Sequence, residues 1–176
     1  MKVFNILIVL ILTMSATIEK QKSVHDFTMK SIEGKEISLS KFKGKKLLIV
    51  NVASKCGYTP QYKDLEELSK TYKDKLVVIG FPANNFGSQE PGADSEIKSF
   101  CEKNYGVSFP MFSKISVTGK DQDPLYKFLS SKDLNGSVDD APKWNFSKYL
   151  VDENGKVLKF FPSSTKPLSK EIAELL

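Results

Sequence analysis

The sequence predicts an α/β fold, a central mixed β-sheet flanked by α-helices, and three observations carry that reading. Two short apolar runs rich in β-branched residues, Leu47–Val52 and Leu76–Phe81, have the composition of strands buried on both faces. Between them Tyr62, Leu65, Leu68 and Tyr72 recur at the spacing of one helical face. Further on, Asn154-Gly155 separates two apolar, alternating stretches, a strong signal for an antiparallel hairpin. A strand–helix–strand unit is a parallel crossover, right-handed by sterics. One sheet therefore holds both parallel and antiparallel pairs.

Each element follows in order. Phe27-Thr28-Met29 and Ile37-Ser38-Leu39 flank Glu33-Gly34 and read as a small hairpin. After the first buried strand, residues 53–58 form a polar loop. Thr59 is the expected helix N-cap, with Pro60 at the first helical position. The second buried strand closes at Pro82. A helix is expected over Asp94–Asn104, with Ile97, Phe100 and Cys101 on one face and Gly106 past its end. Pro124–Ser130 reads as another helix. Trp144–Val151 and Val157–Phe161 are the arms of the late hairpin, and Leu168–Leu176 is a final helix. The order β-α-β, α, β-β, α is the thioredoxin-like layout.

The domain is expected over residues 24–176, because the first residues have a different character. Lys2 precedes an uncharged stretch, Val3–Ile18, with small residues at Ser15 and Ala16. That order is the signature of a secretory signal peptide, taken as residues 1–16. Its sixteen uncharged residues fall short of the ~20 that a spanning helix needs, although an uncleaved anchor is the alternative. The expected location is therefore outside the cytoplasm, periplasmic or secreted.

The formal net charge is +5, and every basic residue is lysine. Readers of nucleic acid use arginine at base edges and phosphates, so its absence argues against that class. The lysines are spread along the chain as a solvated surface. One histidine, His25, and two cysteines without a CxxC pair cannot assemble a Cys/His zinc cage. No metal or other cofactor is expected.

In an exported protein, Cys56 and Cys101 could form a structural disulfide. The surroundings of Cys56 point elsewhere. It follows a buried strand and precedes a helix, the position where open α/β sheets place their ligand sites. A thiol near a helix N-terminus meets unpaired N–H donors and the positive end of the dipole, and Lys55 adds a positive charge. These favour the reactive thiolate. A buried, inert cysteine would suit an apolar run better than Ser54-Lys55-Cys56-Gly57.

Three longer segments carry a family resemblance. Asn51-Val52-Ala53-Ser54-Lys55-Cys56-Gly57 closely resembles the motif around the nucleophile of glutathione peroxidases. Residues 81–92, from Phe81-Pro82-Ala83-Asn84 to Gln89-Glu90-Pro91-Gly92, resemble that family's second signature, and Trp144-Asn145-Phe146-Ser147-Lys148-Tyr149-Leu150 its third. The resemblance implies a catalytic tetrad of Cys56, Gln89, Trp144 and Asn145. Cys56 would attack the peroxide and become a sulfenic acid. The amide and indole N–H groups would stabilise the thiolate and the charge developing on the departing oxygen. Taken singly, each has a plainer role: a core tryptophan, a turn cap, an asparagine at a strand end.

Many members of the family carry selenocysteine where this chain has Cys56. Cys101 resembles the resolving cysteine of the thioredoxin-dependent branch, though its place on an apolar helix face also suits a core residue. Where that branch often has another cysteine, this sequence has Ala83. To meet Cys56, the Asp94–Asn104 helix would have to unwind, since a disulfide needs Cα atoms roughly 4.4–6.8 Å apart. The lack of arginine and the presence of Cys101 favour a thioredoxin-like dithiol reductant over glutathione. The short segment between Thr118 and Trp144 resembles monomeric members, and an open surface over Cys56 would admit lipid hydroperoxides beside hydrogen peroxide.

Alternative readings remain on the same fold. A thiol–disulfide oxidoreductase normally needs CxxC, where this chain has Cys56-Gly57-Tyr58-Thr59. A peroxiredoxin needs Thr-x-x-Cys, where this chain has Ala53. A copper chaperone uses a close cysteine pair, which is missing. A non-catalytic module stapled by Cys56–Cys101 would hold a permanent disulfide.

Overall fold

The computed structural model describes residues 23–176; the expected leader, residues 1–16, lies outside them. Strand β3 (Lys46–Val52) is central because its side chains are almost all buried, so it needs cover on both faces. It pairs in parallel with β4 (Leu76–Pro82) and antiparallel with β5 (Lys148–Val151), and β5 pairs antiparallel with β6 (Val157–Phe161). The strand order is β4-β3-β5-β6, the mixed sheet that the sequence implies. A separate hairpin, β1 (Thr28–Lys30) and β2 (Glu36–Ser38), turns at Glu33-Gly34.

Alternation along the strands divides the interior into two cores. Leu48, Val50 and Val52 of β3, Val78 of β4 and Leu150 of β5 face one side. They meet Tyr62, Leu65 and Leu68 of helix α1 (Gln61–Thr71) and Ile97 and Cys101 of helix α2 (Asp94–Tyr105). Leu47 and Ile49, Ile79 and Phe81, and Tyr149 and Val151 face the other side. That side is closed by Leu125, Tyr126, Phe128 and Leu129 of helix α3 (Pro124–Leu129). Both cysteines lie on the first side, with helices α1 and α2.

Local chemistry shifts several expected boundaries. Helix α1 begins one residue later than Pro60, which stands at the cap with φ −56°. Thr59 is not the cap, because its hydroxyl turns back into the preceding loop. The arm expected over Trp144–Val151 is extended only from Lys148, since Phe146 adopts φ +65° and breaks the run. The last helix contracts to α5 (Lys170–Ala173), because Ser169 is extended at its start. A short helix α4 (Lys132–Asn135) was not anticipated; it ends where Gly136 takes φ +76°. Helix α2 ends as expected, at Gly106 with φ +63°.

A buried acid ties α2's exit to α1. The Glu66 carboxylate accepts from the Ser108 backbone N–H at 2.8 Å and from the Ser108 hydroxyl, and pairs with Lys70 at 3.0 Å. Burial alone would raise its pKa, but the Ser108 donors and Lys70 outweigh burial and hold the carboxyl below its ordinary value. Glu66→Ala leaves the Ser108 N–H without its acceptor and is expected to cost about 1–3 kcal/mol. A urea titration checks this: the midpoint should fall with an unchanged slope. An unchanged midpoint would rule the contact out as a source of stability.

Candidate active site

The Cys56 loop leaves the carboxyl end of β3 and runs directly into α1. Thr59 closes it from within, its hydroxyl donating to Ala53 O at 2.8 Å and accepting from Cys56 N at 3.0 Å. Successive turns, Thr59 N to Cys56 O, Gln61 N to Tyr58 O and Tyr62 N to Thr59 O, then lead into the helix. The Tyr58 N–H donates to Cys56 Sγ at 3.4 Å. The sulfur is thus held by a backbone donor on the approach to α1. Cys56 is 8% exposed, mostly enclosed yet not sealed from solvent.

Two remote segments converge on this loop. Lys55 N–H donates to Gln89 O at 3.0 Å, Ser54 Oγ donates to Glu90 Oε2 at 3.1 Å, and Ala83 N–H donates to Val52 O at 3.0 Å. From the other side, Phe146 N–H donates to Asn51 O at 2.6 Å, and Asn51 Nδ2 donates to Trp144 O at 3.1 Å. The two incoming segments also meet each other. Asn145 Nδ2 donates to Gln89 Oε1 at 2.9 Å, and the Trp144 and Phe86 rings lie 5.9 Å apart. The structure therefore brings Gln89, Trp144 and Asn145 into one assembly with the Cys56 loop.

The amide pair has a chemical consequence. Asn145 is fully buried and Gln89 half-buried. One amide donates to the other's carbonyl, so whichever way the pair faces, the second amide keeps its NH2 group for another partner. No group among the described residues accepts from Gln89 Nε2. Trp144 is 39% exposed, so it is a surface ring and not a core tryptophan. Two non-glycine residues in the left-handed region flank the pair, Ser88 at φ +52° and Phe146 at φ +65°. Backbone held this way is costly and persists only where the surroundings over-determine it.

Glu90 is a buried carboxyl that the sequence reading passed over. Burial pushes its pKa up, while Ser54, Lys114 and Lys55 pull the other way. Lys114 Nζ also donates to Glu90 O at 3.1 Å and Gly92 O at 2.6 Å, fixing the turn after Gln89. Asn51 and Thr59 were missed as well. Their signal was a polar residue at the end of a buried strand and a hydroxyl between a loop and a helix, both of which must satisfy backbone groups.

Cys101 sits on α2, 1% exposed, in the same apolar cluster as Cys56. Burial pushes its thiol up to about 11, against the opposing pull of the Tyr62 hydroxyl. Both thiols are free, so the stapled module has no staple here. A cavity of about 400 Å³ opens between the Cys56 loop and α2, lined by Ser54, Lys55, Glu90, Gly92, Ile97 and Phe100.

Comparison with known proteins places this arrangement. The glutathione peroxidase family model matches residues 24–130. A glutathione peroxidase-like peroxiredoxin of Saccharomyces cerevisiae is 52% identical over 157 residues, which span 88% of this chain and 97% of that protein. The chain belongs to the glutathione peroxidase family. Another relative, the hydroperoxy fatty acid reductase of Synechocystis sp., is 44% identical over 169 residues, spanning 91% of this chain and 99% of its own length. The crystal structure of Trgpx in apo form superposes with a TM-score of 0.66 at 40% identity, covering 87% of this chain and 94% of the other. As a glutathione peroxidase, the protein is a peroxidase on a thioredoxin-like fold, and the three segments that resembled the family's motifs are joined around the loop that carries Cys56.

Proposed function

We propose that this protein reduces hydrogen peroxide and organic or lipid hydroperoxides with Cys56 as nucleophile and Gln89, Trp144 and Asn145 as the surrounding donors. The Cys56 thiolate forms a bond to the terminal peroxide oxygen while the O–O bond breaks. The departing oxygen takes a proton and leaves as water or an alcohol, and Cys56 becomes a sulfenic acid. The amide NH2 left free by the Gln89–Asn145 pair and the exposed Trp144 indole supply donors for the charge that develops. Cys101 then attacks the sulfenic sulfur, releasing water and forming a disulfide. A thioredoxin-like dithiol protein reopens it by exchange, leaving both cysteines reduced.

The observation that carries this reading is the Asn145–Gln89 hydrogen bond at 2.9 Å, anchored to the Cys56 loop by Lys55 N–H on Gln89 O at 3.0 Å. The test is peroxide consumption by the purified protein with a thioredoxin-type dithiol protein or with glutathione. Fast consumption with the dithiol protein, slower consumption with glutathione and no reduction of insulin are expected. Failure to consume peroxide with either thiol would sink the proposal.

The leader-like order of Lys2, Val3–Ile18 and Ala16 supports export, and with it an exported thioredoxin-like reductant. The short segment between Thr118 and Trp144 supports a monomer. Among the described residues no helix is long and apolar enough to cross a membrane.

A further inference from the structure

Lys148 is fully buried in the middle of the sheet, on β5 opposite Val50 of β3 and Phe161 of β6. A lysine there is expensive, because its ammonium gives up water. Burial pushes its pKa down to about 7. No ion pair among the described residues reaches it. Its Nζ instead donates to two backbone carbonyls, Phe146 O at 2.7 Å and Thr165 O at 2.8 Å. Phe146 is the residue at φ +65°, a conformation that a bulky side chain adopts only under constraint. Its ring is fixed edge-on against Tyr62, with centroids 5.4 Å apart, and its N–H is fixed by Asn51 O. That leaves the carbonyl, and Lys148 holds it.

Resting on the peroxidase site described above, we propose that Lys148 is a positioning residue for peroxide reduction: its clamp on the Phe146 and Thr165 carbonyls fixes the left-handed kink that delivers Asn145 and Trp144 to the Cys56 loop. Lys148 touches neither sulfur nor peroxide, and it acts through the kink. An apolar side chain of similar length would fill the same space without the cost of a buried cation, but would leave the Phe146 carbonyl free to rotate. The Asn145 amide would then lose its fixed approach to Gln89, and small losses of alignment at a reacting centre are costly in rate.

The test is single-turnover oxidation of the reduced protein by hydrogen peroxide, followed by loss of the Cys56 thiol. Lys148→Met is expected to slow this step about tenfold, and Asn145→Ala to slow it as well. The double variant should fall by less than the product of the two single losses, because the Lys148 loss acts in part through Asn145. Trp144 is the only tryptophan, so its emission should shift in Lys148→Met below the unfolding temperature. Lys148→Gln, which keeps a neutral N–H donor, should fall between wild type and Lys148→Met, and it carries the comparison if Lys148→Met does not fold. A folded Lys148 variant that oxidises at the wild-type rate, or losses that multiply in the double variant, would overturn the proposal while the peroxidase site stands. An unchanged rate in Asn145→Ala would overturn the site itself, and the proposal with it.

Discussion

Cys56→Ser is expected to lose hydroperoxide consumption altogether, by on the order of 10³-fold or more, as nucleophile replacements do. The substitution exchanges one atom and leaves the loop's supports in place, since Thr59 closes it through the Cys56 backbone N–H and the Tyr58 N–H can donate to a hydroxyl oxygen as it does to sulfur. The fold should therefore survive, and unchanged circular dichroism would show it. What disappears is the chemistry. A serine hydroxyl stays protonated at neutral pH, and its oxygen cannot climb an oxidation ladder as sulfur does. The second thiol cannot take over, because Cys101 is 1% exposed and burial holds its proton. Peroxide loss measured with each thiol reductant decides the matter. A Cys56→Ser protein that still consumes peroxide would move the nucleophile to Cys101 and undo the site.

Much of this was legible in the sequence, and the failures have a common physical origin. The buried strands Leu47–Val52 and Leu76–Phe81 declared themselves through continuous apolar composition, and each appeared within a residue or two of its predicted limits. Helix α2 was bounded by Gly106, whose lack of a Cβ allows φ +63°. The convergence of Gln89, Trp144 and Asn145 followed from resemblance alone, since no periodicity tells which loops meet across a sheet. Where the expectation slipped, backbone geometry overrode local preference. Phe146 would extend a strand by propensity, yet hydrogen bonds to its N–H and its carbonyl force it left-handed and shorten β5. Thr59 has the chemistry of an N-cap, yet the Ala53 carbonyl and the Cys56 N–H claim its hydroxyl first. Lys148 stood inside a quoted motif without a role of its own, because a lysine in a sequence reads as surface until its burial is known.

Cys101→Ser is expected to separate the two halves of the cycle. Oxidation of Cys56 by peroxide should proceed at the wild-type rate, whereas turnover with a dithiol protein should fall at least about tenfold and the sulfenic acid should accumulate. The reason lies in how Cys101 is held. Its thiol, pushed up to about 11 by burial, leaves roughly one molecule in ten thousand ionised at neutral pH. The folded helix therefore protects Cys101 from attack and also prevents it from attacking. In the proposed cycle α2 opens for disulfide formation, which exposes the thiol to water and restores its ordinary acidity. The N-terminus of α2 is secured by Glu96, whose carboxylate accepts the Ala93 N–H at 2.8 Å. Glu96→Ala, costing that end about 0.5–1 kcal/mol, should speed disulfide formation by roughly two- to fivefold and leave the first oxidation unchanged. The same burial predicts a pH effect with a defined sign. The unfolded thiol ionises near 9.0 and the folded one near 11, so its contribution to stability is intact below 9 and is lost as pH rises toward 11. Cys101→Ser should lack that alkaline loss. Peptide mapping of peroxide-treated wild type should find Cys56 joined to Cys101, and a Cys101→Ser protein that turns over normally with the dithiol reductant would remove Cys101 from the cycle.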